Sequence, residues 1–266
     1  MITADFHVHS TFCDGESTPE ELCERALADG MTALGFSGHS YTAFDSWWCM
    51  TPEKTEGYRA CVQALRERYA GRLRVLCGIE QDFYAAEPAE GYDYVIGSVH
   101  YLFPVPGEWF PVDESAEDLR KAADRWFGGD MAALAAAYYD TAARVVEKTR
   151  CGIIGHFDVI SKFNAGGALF DETEPRVTAA WQRAADALLR TGALFEVNTG
   201  AMASGYRTEP YPSREKRLYL AERGARFLLS SDCHRADRLR FGFAETEALL
   251  AAEGITPQQQ PDGAAI

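Results

Sequence analysis

Residues 4–10 read ADFHVHS, an apolar, strand-like run that ends on two histidines one residue apart. Side chains in a strand alternate faces, so His7 and His9 project to one side and Val8 to the other. The same arrangement returns near the far end of the chain, where FLLSSDCH (227–234) closes on Asp232 and His234 with Cys233 between them. Each pair offers two donor side chains to one cavity, and the middle residues are expected on the opposite, apolar side. Between these two stretches, the other histidines also stand where a strand-like run reaches its carboxyl end: His39 in LGFSGHS (34–40), His100 in YVIGSVH (94–100) and His156 in GIIGH (152–156). Glu80 closes RVLCGIE (74–80) in the same way. All six histidines and two acids share one topological address.

Strand-like segments near 2–9, 33–37, 73–79, 93–99, 152–155, 193–197 and 226–230 alternate mostly with helical ones. Thr18, Pro19 and Glu21 spell a capping box with proline at the first helical position, predicting a helix from there to Gly30. Further helices are expected near 52–69, 130–149, 175–191, 213–223 and 243–253. Alternation of this kind predicts an α/β fold with a parallel sheet, and donors at the ends of six strands converge only if the sheet closes. The expectation is therefore a seven-stranded (β/α)7 barrel, TIM-barrel-like but one unit short, with the site at the carboxyl ends of the strands. A single domain over 1–256 is expected, with 101–129 inserted at its mouth and 257–266 as a frayed tail.

Imidazoles mixed with carboxylates, without a paired-cysteine motif, suit Zn, Mn or Fe in a hydrolytic site better than a structural zinc. Eight candidate ligands are too many for one ion and predict a cluster of two or three divalent metals, a carboxylate such as Glu80 bridging. Seven cysteines without CxxC or framework spacing read as reduced thiols. With no secretory-type start and no membrane-length apolar run, the expected location is the cytoplasm, with no membrane partner. A net charge of -14 argues against a nucleic-acid surface. A small anionic substrate remains compatible, because bound metal ions make a local positive site. Oligomeric state is not legible.

The segments DFHVHS, SGHS, GIE, DYVIGSVHYL, IGHFDVISKF, EVNTGAMASGYR, YPS and SSDCHRAD, spread over residues 5–237, together resemble the polymerase and histidinol phosphatase (PHP) superfamily, and within it the histidinol-phosphate phosphatase branch. The resemblance implies a distorted seven-stranded barrel with a trinuclear metal centre. It implies that His7, His9, Glu80 and Asp232 hold one metal, Glu80, His100 and His156 a second, and His39 with His234 a third. Many relatives add a histidine to the third site shortly after the HxH; here Asp14 is the candidate replacement, the alternative being an Asx turn before Thr18.

The implied activity is hydrolysis of L-histidinol phosphate to L-histidinol and phosphate, in histidine biosynthesis, through attack of a metal-bridging hydroxide. Glu80 and Asp232 would serve catalysis as ligands. Arg207 is the first candidate for a cation on the phosphate, and Lys162 the second. Another small phosphomonoester, a nucleotide or a phosphodiester would use the same metals. An amidohydrolase is less favoured because Glu80 stands where those enzymes carry a modified lysine, and a non-catalytic barrel because the ligands are intact. No CX5R loop exists to make Cys13 or Cys233 a nucleophile. Phe44, Trp47, Trp48, Tyr101, Trp109 and Tyr206 fall in mouth loops, and sequence does not choose among them as substrate contacts.

Overall fold

The computed structural model describes residues 1–262. The expected alternation is present: β1 (Ala4–Asp5), α1 (Pro19–Ala28), β2 (Ala33–Phe36), α2 (Pro52–Arg68), β3 (Arg74–Asp82) and β4 (Tyr94–Ser98) come first. A hairpin of β5 (Tyr101–Val105) and β6 (Glu108–Pro111) then interrupts it, followed by α3 (Ala116–Trp126), α4 (Met131–Ala142) and α5 (Val145–Thr149). The chain continues through β7 (Ile153–Ile154), α6 (Pro175–Leu189), β8 (Leu194–Asn198), α7 (Gly200–Ala203), α8 (Arg214–Glu222), β9 (Phe227–Ser230) and α9 (Phe243–Ala252). Local chemistry accounts for the boundaries. At α1 the Thr18 side chain accepts from the Glu21 N–H, and the Glu21 carboxylate accepts from the Thr18 N–H at 2.8 Å.

Among the described residues the sheet has seven parallel strands in the order β1-β2-β3-β4-β7-β8-β9. It closes just beyond the strand ends, where Val8 bridges Cys233 in parallel and the His9 N–H donates to the Cys233 carbonyl at 2.8 Å. As alternation requires, Val8 and Cys233 are buried in the cluster that also holds Leu22, Phe36 and Val62 of the neighbouring elements. The barrel interior is a separate cluster to which all seven strands contribute, through Ala4, Ala33, Leu76, Tyr94, Ile96, Ile153, Leu194 and Leu228, with Phe6. Tyr94 ties it together, its hydroxyl donating to the Phe6 and Phe36 carbonyls at 2.7 and 2.9 Å. The ring fits because β3 has a glycine beside it: a Cβ at Gly78 would stand 2.2 Å from the ring.

Residues 101–129, expected as an insertion at the mouth, form a hairpin and a helix, with Trp126 stacked on Phe110 of β6. Two expectations are revised. The helix expected over 130–149 is two helices. Residues 257–262 are not frayed: the Gln258 N–H donates to Phe227 O at 2.7 Å and Asp262 pairs with Arg226 at 2.7 Å, extending the outer edge of β9. The rest of that predicted tail, 263–266, lies outside the described residues. No helix among the described residues is long and apolar enough to cross a membrane.

Removing the Tyr94 hydroxyl deletes both bonds to buried carbonyls, so Tyr94→Phe should destabilise the fold by about 1–3 kcal/mol. Thermal unfolding should show a Tm lower by several degrees; an unchanged Tm would mean the hydroxyl does not tie β4 to β1 and β2.

Candidate metal centre

A cavity of about 320 Å3 opens at the carboxyl ends of the strands, lined on its inner side by Asp14, His39, Glu80, His100, His156, Asp232 and His234. His7 and His9 lie behind this wall, fully buried. Three sets of side chains bring their ligand atoms within 4.8 Å of one another: His7, His9 and Asp232; His39, Glu80 and His100; and His9, Asp14, His39 and His234. All nine predicted ligands are therefore gathered in one place, His156 joining through Glu80.

Glu80 is the centre of this constellation. Its Oε1 lies 3.0 Å from His156 Nε2 and 3.3 Å from His100 Nε2. Its Oε2 lies 2.8 Å from His39 Nδ1, 3.2 Å from His7 Nε2 and 3.5 Å from His9 Nε2. One carboxylate thus turns each oxygen toward a different group of imidazoles, the orientation a bridging ligand needs. Burial alone would raise the Glu80 pKa, but the imidazoles of His7, His39 and His100 hold it well below the usual carboxylate range.

The donor set fits a metal on the geometry of the buried atoms themselves. His7 Nε2, His9 Nε2, His39 Nδ1 and Glu80 Oε2 have no hydrogen-bond partner among the described residues, although the three nitrogens stand 2.8–3.5 Å from that oxygen. Close approach without hydrogen-bond alignment leaves lone pairs aimed at shared points, where a cation satisfies them together. Burial, with His39 and His234 alongside, pushes the His9 pKa down to about 3, so it stays the neutral imidazole that metals bind. Asp14 faces the same space, 3.5 Å from His39 Nε2 and 3.3 Å from His234 Nε2.

Behind the candidate ligands stands a layer that sequence reading did not single out. Glu196 on β8 is fully buried; its carboxylate accepts from His7 Nδ1 at 2.5 Å, the His156 N–H at 2.7 Å and the Ser230 hydroxyl at 2.6 Å. Asp82 accepts from the His100 N–H at 3.1 Å and lies 3.2 Å from His100 Nδ1. Ser98 donates to Glu80 at 2.6 Å, and Asn198 to Asp232 at 3.2 Å. Asp5 accepts from the Ser231 and His7 N–H groups, and burial pushes its carboxyl up to about 6. The signal was present as alternation: Asp5-x-His7, Glu80-x-Asp82 and Glu196-x-Asn198 repeat the spacing of the HxH pair.

The two predicted cations separate. Lys162 lines the cavity, with Nζ donating to the Asp113 carbonyl at 2.7 Å. Arg207, the first choice on sequence, is not among the lining residues; it bonds to Ser161 and lies 4.7 Å from the Tyr211 ring. Of the mouth aromatics, Trp47, Trp48 and Tyr101 line the cavity. Phe44 and Trp109 pack against one another, and Tyr206 against Phe163.

The PHP domain matches residues 5–200 of the chain. A protein named "Probable histidinol-phosphatase" from Deinococcus radiodurans is 33% identical, the match covering 91% of this chain and 90% of that protein. One of the same name from Schizosaccharomyces pombe is 26% identical, with 97% and 90% covered. The fold is similar to that of histidinol phosphate phosphatase from Lactococcus lactis, solved with zinc, L-histidinol and phosphate: TM-score 0.73 at 19% identity, covering 99% of this chain and 98% of that one.

Because Glu196 sets the orientation and tautomer of His7, Glu196→Gln should weaken zinc binding by about ten- to a hundredfold while leaving the ligands in place. Competition against a chromogenic chelator measures this, and wild-type affinity in the variant would remove Glu196 from that role.

Proposed function

The chain belongs to the PHP domain family, and we propose that it is a histidinol-phosphatase, hydrolysing L-histidinol phosphate to L-histidinol and phosphate with divalent metal ions. The observation that carries this reading is Glu80, with its two oxygens turned to separate groups of imidazoles on the floor of a cavity whose wall bears a lysine. His7, His9, Asp232 and Glu80 would hold one ion, Glu80, His100 and His156 a second, and His39, His234 and Asp14 a third. Zinc is the first choice, since imidazole suits it and the Lactococcus relative was solved with it. When bound, such ions acidify water and offset the charge that builds on a transferring phosphoryl group.

The chain's own residues do the rest. Glu196 and Asp82 orient imidazoles; Asn198 steadies Asp232; the neutral His9 and the ionised Glu80 are poised as donors. Lys162, on the cavity wall and 3.7 Å from the Asp113 carboxylate, would be the cation that meets the phosphate. Arg207 acts through the wall, by holding Ser161 and covering Tyr211. A cavity of about 320 Å3 suits a small phosphomonoester, and the net charge of -14 disfavours a nucleic-acid strand. Seven free thiols support a reducing compartment, and we place the enzyme in the cytoplasm.

Zinc- or manganese-loaded enzyme should release phosphate from L-histidinol phosphate in clear preference to other monoesters and to a phosphodiester, with two or three ions counted per chain. Equal turnover of all monoesters, or turnover of diesters alone, would keep the site and discard this substrate. Glu80→Gln should lower the metal count and reduce turnover by more than the roughly hundredfold expected of a supporting residue; full metal content and activity would defeat the bridging role.

A further inference from the structure

Tyr211 is a buried phenol in the wall of the cavity. The residue is 3% exposed, and its Oη has no partner among the described residues, yet it lines the same cavity as His156, Lys162 and Asp232. Its position is held on several sides. The Tyr211 N–H donates to the Asn198 carbonyl at 2.9 Å and the Tyr211 carbonyl accepts from the Asn198 N–H at 2.8 Å, pinning the residue to the end of β8. The Arg207 guanidinium lies 4.7 Å from the ring centroid, and the His156 ring stands at 6.3 Å.

A buried hydroxyl without a partner is costly to a fold, and such groups are kept where something else completes them. A phenol is first a donor, so what completes it is an acceptor. In a cavity already lined by Asp14, Glu80 and Asp232, the acceptor-rich part of an incoming phosphomonoester is its phosphoryl group. We infer that Tyr211 donates a hydrogen bond through Oη to the phosphoryl group of the bound substrate, so that Tyr211 is a substrate-binding residue beside Lys162. This rests on the phosphomonoesterase reading of the site. It also gives Arg207 a task without contact to phosphate, as the group that fixes the ring.

The test is Tyr211→Phe in zinc-loaded enzyme, with binding of inorganic phosphate measured by calorimetry alongside turnover, metal content and Tm. Phosphate affinity and kcat/KM for the monoester should both fall by about ten- to a hundredfold. Metal content should stay at the wild-type value and the phosphate-free Tm should not drop, because no protein–protein bond is lost. Tyr139 provides the control: its hydroxyl is also buried and unpartnered, but it does not line the cavity, so Tyr139→Phe should bind phosphate like wild type. Wild-type phosphate affinity in Tyr211→Phe would overturn the inference, as would a fall in Tm or metal content that tracks the loss of activity. If the wild-type enzyme itself neither binds phosphate nor cleaves any monoester, the reading of the site falls and the inference with it.

Discussion

The barrel closes because the first and last segments that carry candidate ligands hydrogen-bond to each other. The His9 N–H meets the Cys233 carbonyl, and the Cys233 N–H meets the His7 carbonyl at 3.1 Å. This pairing closes the sheet and, by the period of a strand, turns Val8 and Cys233 outward into the apolar layer. It also sets His7 and His9 beside Asp232, whose Oδ1 lies 3.4 Å from His7 Nε2 and 3.2 Å from His9 Nε2. Closure and site assembly are the same event: an open sheet would leave each pair with half of its partners.

Concentrating ionisable groups in a buried floor works only if each has company. Desolvation opposes every charge there, and the opposition is met by mutual pairing and a second layer of acceptors and donors. Asp232 shows the local consequence. Its backbone is left-handed, with φ of 52°, a conformation an aspartate tolerates better than most residues. Gly200 leaves it room, since a Cβ there would stand 2.9 Å from the Asp232 Cβ. Strain of this kind is expected where a backbone positions a candidate ligand.

Around this floor the wall is built from segments far apart in the chain. Lys216 and Asp158 are both buried and 3.4 Å apart, and Asp158 accepts from the Ser213 N–H at 2.9 Å. Arg217 grips the segment from the other side, donating to the Pro210 carbonyl at 3.3 Å and pairing with Glu253 at 2.8 Å. These contacts fix the loop that carries Arg207 and Tyr211. The wall is therefore cross-braced where it meets the cavity, and packing leaves Lys162, not Arg207, on the lining.

Much was legible in the sequence, because strand periodicity and chain order are local properties. The alternating fold, the capped α1 and the convergence of His7, His9, His39, Glu80, His100, His156, Asp232 and His234 follow from where each apolar run stops. What the sequence does not encode locally is distance between segments. Only the tertiary structure turned Glu80 so that its oxygens face different imidazoles, and joined Glu196 to His7 across 189 positions of chain. It alone drew Arg207 behind the wall while leaving Lys162 on it, and folded 101–111 into a hairpin against the mouth. These depend on which side chains fill a shared volume once the barrel closes, a question that no single stretch of sequence can answer.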